Sequence, residues 1–212
     1  MLISLKQRWL NFAKRIVIPR GEEIWESLEM LYTEQGRHYH TLEHIQDCLI
    51  KLDEWPTKIS AENYQSIELA IWFHDLIYDS QRADNEDASA ALFTHFFRGH
   101  ELQPNVYALI LATRHKVTDG MQAEEIMCDI DLSILGAIIP GKYQQYSDNI
   151  RKEYSWVTDE EYCEARIRVL TNFLAKDHLY QTPYAQGRWG KQARINIQQE
   201  KDLLSSALES YI

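Results

Sequence analysis

The sequence predicts an all-α protein. Proline and glycine are scarce, with 5 and 8 residues among 212, and apolar residues recur at helical spacing along most of the chain. A hydrophobic fraction of 45% supplies enough apolar material for a sizeable core. We therefore expect one helical domain over residues 1–212, with its core at about residues 22–156 and a helical extension at about residues 157–212.

Three helices are expected before residue 60. Apolar residues at helical spacing between Leu5 and Ile16 predict the first helix, which the Pro19-Arg20-Gly21 segment ends. A second helix is expected to end near Gly36. Thr41 is a suitable N-cap for the third helix.

The central helix is expected from Glu62 to Tyr78. Its stretch IELAIWFHDLIYD, at residues 67–79, is apolar on nearly every side, which is typical of a helix in the middle of a protein. His74 and Asp75 nevertheless lie side by side within this stretch. Because acidic side chains are almost never fully buried unless they are paired or metal-bound, the pair predicts a bound cation.

The remaining chain is expected to alternate polar loops with helices. A loop follows Asp79, a helix begins near Asn85, and another has Pro104 in its first turn and runs to His115. The stretch YQTPYAQGRWG, which contains Pro183, is expected to be a loop. The last three predicted helices are Lys142 to Tyr154, Asp159 to Lys176 and Lys191 to Leu208.

The formal net charge is −10, from 22 basic and 32 acidic residues. This balance argues against binding of long nucleic acid, which needs a basic surface. No run approaches the roughly 18 apolar residues that span a membrane, and the N-terminus is not a convincing signal peptide. The three cysteines have no CxxC spacing and are expected to be reduced, so we expect a cytoplasmic protein.

Several ionisable residues lie in apolar surroundings in four separate segments. Imidazoles and carboxylates together suit a divalent ion such as zinc, manganese, magnesium, iron or nickel, and they leave coordination positions open for water. Mixed nitrogen and oxygen ligands argue against a purely structural zinc site. The second carboxylate is either Asp131 or its neighbour Asp129. The candidates are His40, His44, His74, Asp75, His115, Asp129 and Asp131.

The order of these residues resembles the HD superfamily of metal-dependent phosphohydrolases. His44, the His74-Asp75 pair and Asp131 follow one another in the order H…HD…D. The run YHTLEH at residues 39–44 is similar to the Tyr-His-Asn-x-x-His motif of cyclic-nucleotide phosphodiesterases. The run DLS at residues 131–133 is similar to the segment around their last metal-binding aspartate.

The chain resembles a group of small bacterial proteins, described as predicted HD-type phosphohydrolases, more closely than it resembles the phosphodiesterases. They share the AIWFHD-x-x-YD run, an Asn-Glu pair after it and the DLS segment, and the resemblance covers about residues 37–136. Thr41 departs from the phosphodiesterase motif, and Tyr78 stands where an HDxxH variant has its second histidine. The resemblance implies an HD-type helical bundle, with one divalent ion or two. The implied metal ligands are His44, His74, Asp75 and Asp131.

Other candidate residues surround this pattern. The resemblance implies that His40 is a general acid, although a hydrogen-bonding role beside a ligand is an equal alternative. Asp79 is a candidate base, with a solvated turn residue as the alternative. Bidentate phosphate contact suits Arg37. The other candidate substrate-binding residues are Arg114, His115 and Glu86. For these three the alternative to substrate binding is a charged side chain that interacts favourably with the dipole at a helix end.

The activity that the resemblance implies is hydrolysis of a phosphoester or phosphoanhydride in a small molecule, such as a nucleotide or related metabolite. A metal-containing protein that binds or senses a nucleotide without catalysis is the main alternative. An iron-dependent oxygenase is a third possibility and would need a second iron, for which His115 is the candidate ligand. The sequence is compatible with a homodimer but does not fix the oligomeric state.

Overall fold

A computed structural model describes residues 4–56, 58–115 and 120–209. Within these ranges the protein consists of ten α-helices and one short 3₁₀ helix, without a strand, which confirms the predicted all-α class. The chain divides into two compact units, Met1–Met127 and Cys128–Ile212. The single domain expected over residues 1–212 stays a prediction. In the described part of the chain, no helix has both the length and the apolar character needed to cross a membrane.

The first unit contains six complete helices and the beginning of a seventh. In chain order they are α1 (Leu5–Arg15), α2 (Gly21–Tyr32), α3 (Leu42–Asp53), α4 (Ala61–Phe73), α5 (Asn85–Phe96), α6 (Gln103–Ala112) and α7 (Gln122–Asp131).

Helix α4 forms the centre of the first unit, as its apolar sequence predicts. Every residue from Ser66 to Phe73 is buried, and the helix packs against α3, α5 and α6. The ring of Trp72 meets the ring of Trp9 from α1 edge to face, with centroids 5.6 Å apart. Offset and edge-to-face contacts of this kind stabilise aromatic cores.

A buried carboxylate joins α1 to α4. Glu68 of α4 accepts hydrogen bonds from Arg8 Nε at 3.2 Å and from Arg15 Nη2 at 2.6 Å. Burial raises the pKa of Glu68, while the two guanidinium groups oppose that rise. A buried ion pair is costly to break by removing one partner, so this set of charges fixes where α1 lies on α4.

The predicted end of the central helix is wrong. Helix α4 ends at Phe73, and His74 is its C-cap instead of an interior residue. The chain then continues as a turn, where the helix was expected to run on to Tyr78. Turn hydrogen bonds, such as the one from the Leu76 N–H to the Phe73 carbonyl at 3.2 Å, satisfy part of the backbone of residues 75–79. Side chains of the same unit bond to several of its other groups.

The second unit contains the end of α7 followed by four helical elements. They are the 3₁₀ helix Leu132–Gly136, α8 (Lys142–Glu153), α9 (Asp159–Leu174) and α10 (Pro183–Glu209). Helix α10 packs against α9 and the 3₁₀ helix. A buried ion pair between Arg166 and Glu200, with Nε and Oε1 2.9 Å apart, joins α9 to α10.

Helix α10 begins earlier than predicted, at Pro183 instead of Lys191. The preceding Thr182 accepts a hydrogen bond from the Ala185 N–H through its hydroxyl oxygen, at 3.2 Å, and so caps the first turn. Proline at the first helical position is pre-organised for the helix and lacks an N–H that would have no partner there. The expected loop is therefore largely helical.

Candidate metal centre

Three of the predicted ligands converge within the first unit. The Nε2 atoms of His44 and His74 are 3.2 Å apart. Asp75 Oδ2 lies 3.0 Å from His74 Nε2 and 3.5 Å from His44 Nε2. Both histidines are buried and Asp75 is half-buried. Two imidazole nitrogens and a carboxylate oxygen therefore face one small volume.

The spacing of these three atoms fits a divalent ion. Ligands about 2.0–2.1 Å from a tetrahedral zinc lie about 3.3–3.4 Å from one another. Octahedral ligands at about 2.1 Å lie about 3.0 Å apart. The observed separations of 3.0, 3.2 and 3.5 Å span both values. The donor set consequently fits metals that accept nitrogen and oxygen ligands, without selecting one of them.

Asp131 extends this set. Each of His44, His74, Asp75 and Asp131 offers one ligand atom, and the four atoms lie within 4.8 Å of one another. These four residues form a group that could hold a metal ion. Among the described residues, no other group of three or more histidine, cysteine or acidic side chains shares this property.

The alternative carboxylate, Asp129, has a different function in the second unit. Its Oδ1 accepts a hydrogen bond from the Gln181 N–H at 2.7 Å, and its Oδ2 accepts from the Thr182 N–H and hydroxyl at 2.8 and 2.7 Å. The residue is 1% exposed. Asp129 thus holds the residues that begin α10, while Asp131 belongs to the group that could hold a metal ion.

The local structure around His74 orients its Nε2 atom. His74 Nδ1 lies 3.0 Å from the Ile71 carbonyl oxygen, which can only accept a hydrogen bond. A proton on Nδ1 leaves the Nε2 lone pair directed at the shared volume, the arrangement common in metal-binding histidines. His44 lies in the first turn of α3, where the Thr41 hydroxyl accepts from the Glu43 N–H. Cys48, one turn later, has its sulfur 3.7 Å from His44 Nε2.

Three side chains stabilise the turn that follows His74. Arg37 donates to the carbonyl oxygens of Asp75 and Leu76, at 2.7 and 2.8 Å. The Ser89 hydroxyl bonds to both the N–H and the carbonyl of residue 77. The Asn85 amide does the same for residue 79. Asn85 is thus the first residue of α5 and a support for the turn, and these bonds keep the chain from continuing the helix.

His40 lies beside the group without being part of it. Its ring stacks on the ring of Tyr78, with centroids 3.8 Å apart and planes 22° from parallel. Its centroid is 6.1 Å from that of His44. The side chain is half-buried, so it has access to solvent near the predicted ligands. Its assignment as a general acid stays a prediction.

The other predicted site residues have the following surroundings. Asp79 is exposed, and its carboxylate accepts a hydrogen bond from the Gln81 N–H at 2.9 Å, as in a turn. Arg114 forms an ion pair with Asp87. His115 follows α6 and has a left-handed backbone, with φ at 53°. Glu86 is half-buried in the first turn of α5. Their catalytic and substrate-binding roles stay predictions.

Sequence patterns did not reveal two contributors to this region. Tyr78 stacks on His40, a contact that the sequence did not predict. The phosphate contact suggested for Arg37 stays a prediction, and its guanidinium donates to the backbone carbonyls of residues 40, 75 and 76. For Arg37, closeness in sequence to the YHTLEH run was the only sign of a place near the predicted ligands.

Comparisons of the chain with protein-family models, with curated proteins and with solved structures found no match.

Proposed function

We propose that this protein is a metal-dependent phosphohydrolase that cleaves a phosphoester or phosphoanhydride bond in a small molecule. The observation that carries the proposal is the approach of His44 Nε2, His74 Nε2 and Asp75 Oδ2 to within 3.0–3.5 Å of one another. Buried groups of this kind are costly unless a partner compensates their desolvation. The ordered H…HD…D pattern, with Asp131 as its last member, supports the assignment to hydrolysis.

A bound divalent ion would polarise a phosphoryl oxygen and lower the pKa of a coordinated water. His44, His74, Asp75 and Asp131 would hold that ion. Within the described residues they are the only such group, so we propose one ion per chain. A mixed set of two imidazoles and two carboxylates leaves coordination positions for substrate and water.

His40 is proposed to donate the proton that the leaving oxygen needs. Its half-buried ring is held against Tyr78, which limits the orientations that the imidazole can adopt. A general acid must reach the leaving group within hydrogen-bond distance. The 6.1 Å between the ring centroids of His40 and His44 supports this role, because His40 lies close to the proposed ligands. Because the chain carries a net charge of −10, a small phosphorylated metabolite suits it better than a polyanion.

Phosphate release from a panel of nucleotides and other phosphorylated metabolites tests this proposal. The purified protein would be assayed with manganese, zinc, magnesium, iron or nickel, beside His74→Ala and Asp75→Ala variants. We expect release with at least one metal and loss of both activity and bound metal in each variant. His95→Ala, which removes an exposed histidine of α5, is the matched control and should keep both.

Two outcomes would contradict hydrolysis. Tight nucleotide binding without phosphate release under any metal would identify a binding or sensing protein instead. Two bound irons per chain, with oxygen consumed when substrate is added, would identify an oxygenase. An Asp75→Ala protein that stays active without metal would contradict the metal-dependent mechanism itself.

A further inference from the structure

The guanidinium of Arg37 donates hydrogen bonds to backbone carbonyl groups of the first unit. Nη1 donates to the Asp75 oxygen at 2.7 Å and to the His40 oxygen at 3.2 Å. Nη2 donates to the Leu76 oxygen at 2.8 Å. Arg37 is 8% exposed, and its guanidinium carbon lies 5.2 Å from the ring centroid of Tyr32. The guanidinium is therefore enclosed. Both of its Nη atoms have carbonyl acceptors, while Nε is buried without a hydrogen-bond partner among the described residues.

These carbonyls belong to two segments that carry predicted site residues. Asp75 and Leu76 form the turn after α4, where a helix end leaves carbonyls without helical partners. His40 lies just before α3, which carries His44. Buried carbonyls must find donors, and the planar fork of a guanidinium can serve several at once in fixed directions. Arg37 consequently sets the position of one segment against the other.

We infer that Arg37 is a positioning residue for the metal-binding group. It fixes the backbone of Asp75, and through it the direction of the Asp75 carboxylate relative to His44 and His74. The inference replaces the expectation that Arg37 binds substrate phosphate. It rests on the proposed metal site and is independent of which reaction the site performs.

The direction in which metal affinity changes when Arg37 is substituted distinguishes a positioning role from an effect of its charge alone. A guanidinium near a cation site repels the ion, so an effect of charge alone would make Arg37→Gln bind metal more tightly and leave Arg37→Lys unchanged. Loss of positioning weakens binding in both variants, because glutamine and lysine cannot form the same fork. A phosphate-binding role would instead raise the KM for substrate and leave metal affinity unchanged.

The experiment is a calorimetric titration of the metal-free full-length protein with Mn²⁺. We expect the dissociation constant to rise about 10- to 100-fold in Arg37→Gln and Arg37→Lys, the range found when a residue that supports a metal ligand is lost. If Arg37→Gln does not fold, Arg37→Lys carries the test, since lysine keeps the charge and a donor. Circular dichroism would verify that each variant is folded.

Arg194 offers a matched control in the second unit. Its guanidinium donates to the carbonyl oxygens of Leu174 and Asp177 at 3.0 and 2.9 Å, and also to that of Lys176. Arg194→Gln removes the same kind of support, so it should lower the melting temperature without changing the affinity for Mn²⁺. This control distinguishes a local effect on the site from general destabilisation.

Three results would overturn the inference. Metal affinity equal to wild type in a folded Arg37→Gln protein would remove the positioning role while leaving the proposed site intact. An equal loss of affinity in Arg194→Gln would show that the effect is one of general stability. A wild-type protein that does not bind any of the tested divalent ions would remove the proposed site, and this inference with it.

Discussion

His74 uses both of its ring nitrogens. Nδ1 lies at hydrogen-bond distance from the Ile71 carbonyl, and Nε2 faces His44 and Asp75. The carbonyl cannot donate, so it selects the tautomer whose Nε2 is free of a proton. A backbone atom three residues earlier in the chain thereby leaves the Nε2 lone pair of this predicted ligand directed at His44 and Asp75. This is a property of the helix end, where the histidine is the C-cap.

Removal of His40 should separate catalysis from metal binding. We expect His40→Ala to lower kcat by about 100-fold or more, the usual contribution of a general acid, while the affinity for metal is retained. Steady-state kinetics and metal titration of the same preparation provide the measurement. His38→Ala, two residues away and exposed, is the control. A large loss of metal affinity in His40→Ala would assign the residue to the support of a ligand instead.

Residue chemistry explains why the sequence could point to four residues that lie together, while it did not point to the side chains that support them. A histidine or aspartate in an apolar run is conspicuous, because its burial needs compensation. Arg37 gives no such signal, since an arginine before a helix is ordinary in sequence. Its function depends on which carbonyls approach it after the chain has folded.

At the scale of elements, the ends of helices carry most of the specific interactions. Helix α4 ends at Phe73, and side chains of α5 and of the segment before α3 bond to the backbone that follows its C-cap. Helix α10 starts at Pro183 because Asp129 and Thr182 fix its first turn. Apolar periodicity predicts that helices exist, but such side-chain contacts decide where they begin and end.

The two neighbouring aspartates should respond differently to substitution. Asp129→Asn replaces one accepting oxygen with an amide NH₂ group, which cannot accept the hydrogen bonds that the N–H and hydroxyl donors now give to the carboxylate. We expect a loss of about 2 kcal/mol in unfolding free energy, as for a lost cap and buried hydrogen bonds. Urea unfolding and metal titration would show lower stability with metal binding kept. Asp131→Asn should instead weaken metal binding and keep the stability of the wild-type protein. If Asp129→Asn alone lost the metal, Asp129 and not Asp131 would be the ligand.

A pair of glycine substitutions tests the packing of the 3₁₀ helix on α10. A Cβ added to Gly136 would lie 2.5 Å from Trp189 Cβ and 3.0 Å from its backbone, so Gly136→Ala should destabilise the protein by about 1–3 kcal/mol. Gly187 is exposed in α10 with open space around it. Gly187→Ala should stabilise by up to about 1 kcal/mol. Equal effects in thermal unfolding would contradict this packing.

At the scale of the whole molecule, the predicted all-α class follows from composition and periodicity alone. The sequence is rich in helix-compatible apolar repeats and poor in proline and glycine, and the described helices reproduce that pattern. The division at residue 127 has no counterpart in composition or in a linker, because it falls inside the continuous helix α7. Sequence patterns report local periodicity and do not report which helices share a core.

Metal binding should stabilise the folded protein. A ligand that binds only the native state adds about 2.7 kcal/mol at a concentration 100 times its dissociation constant. We therefore expect Mn²⁺ to raise the melting temperature of the wild-type protein and a chelator to reverse the rise. Asp75→Ala should show neither effect. An identical shift in Asp75→Ala would indicate that the ion binds elsewhere.

The most direct measurement of the central claim is anomalous X-ray scattering from crystals grown with Mn²⁺. The account predicts one strong peak about 2.1 Å from His44 Nε2, His74 Nε2 and carboxylate oxygens of Asp75 and Asp131. It would be contradicted if Mn²⁺-saturated crystals showed no peak there and the two imidazoles were hydrogen-bonded directly to each other.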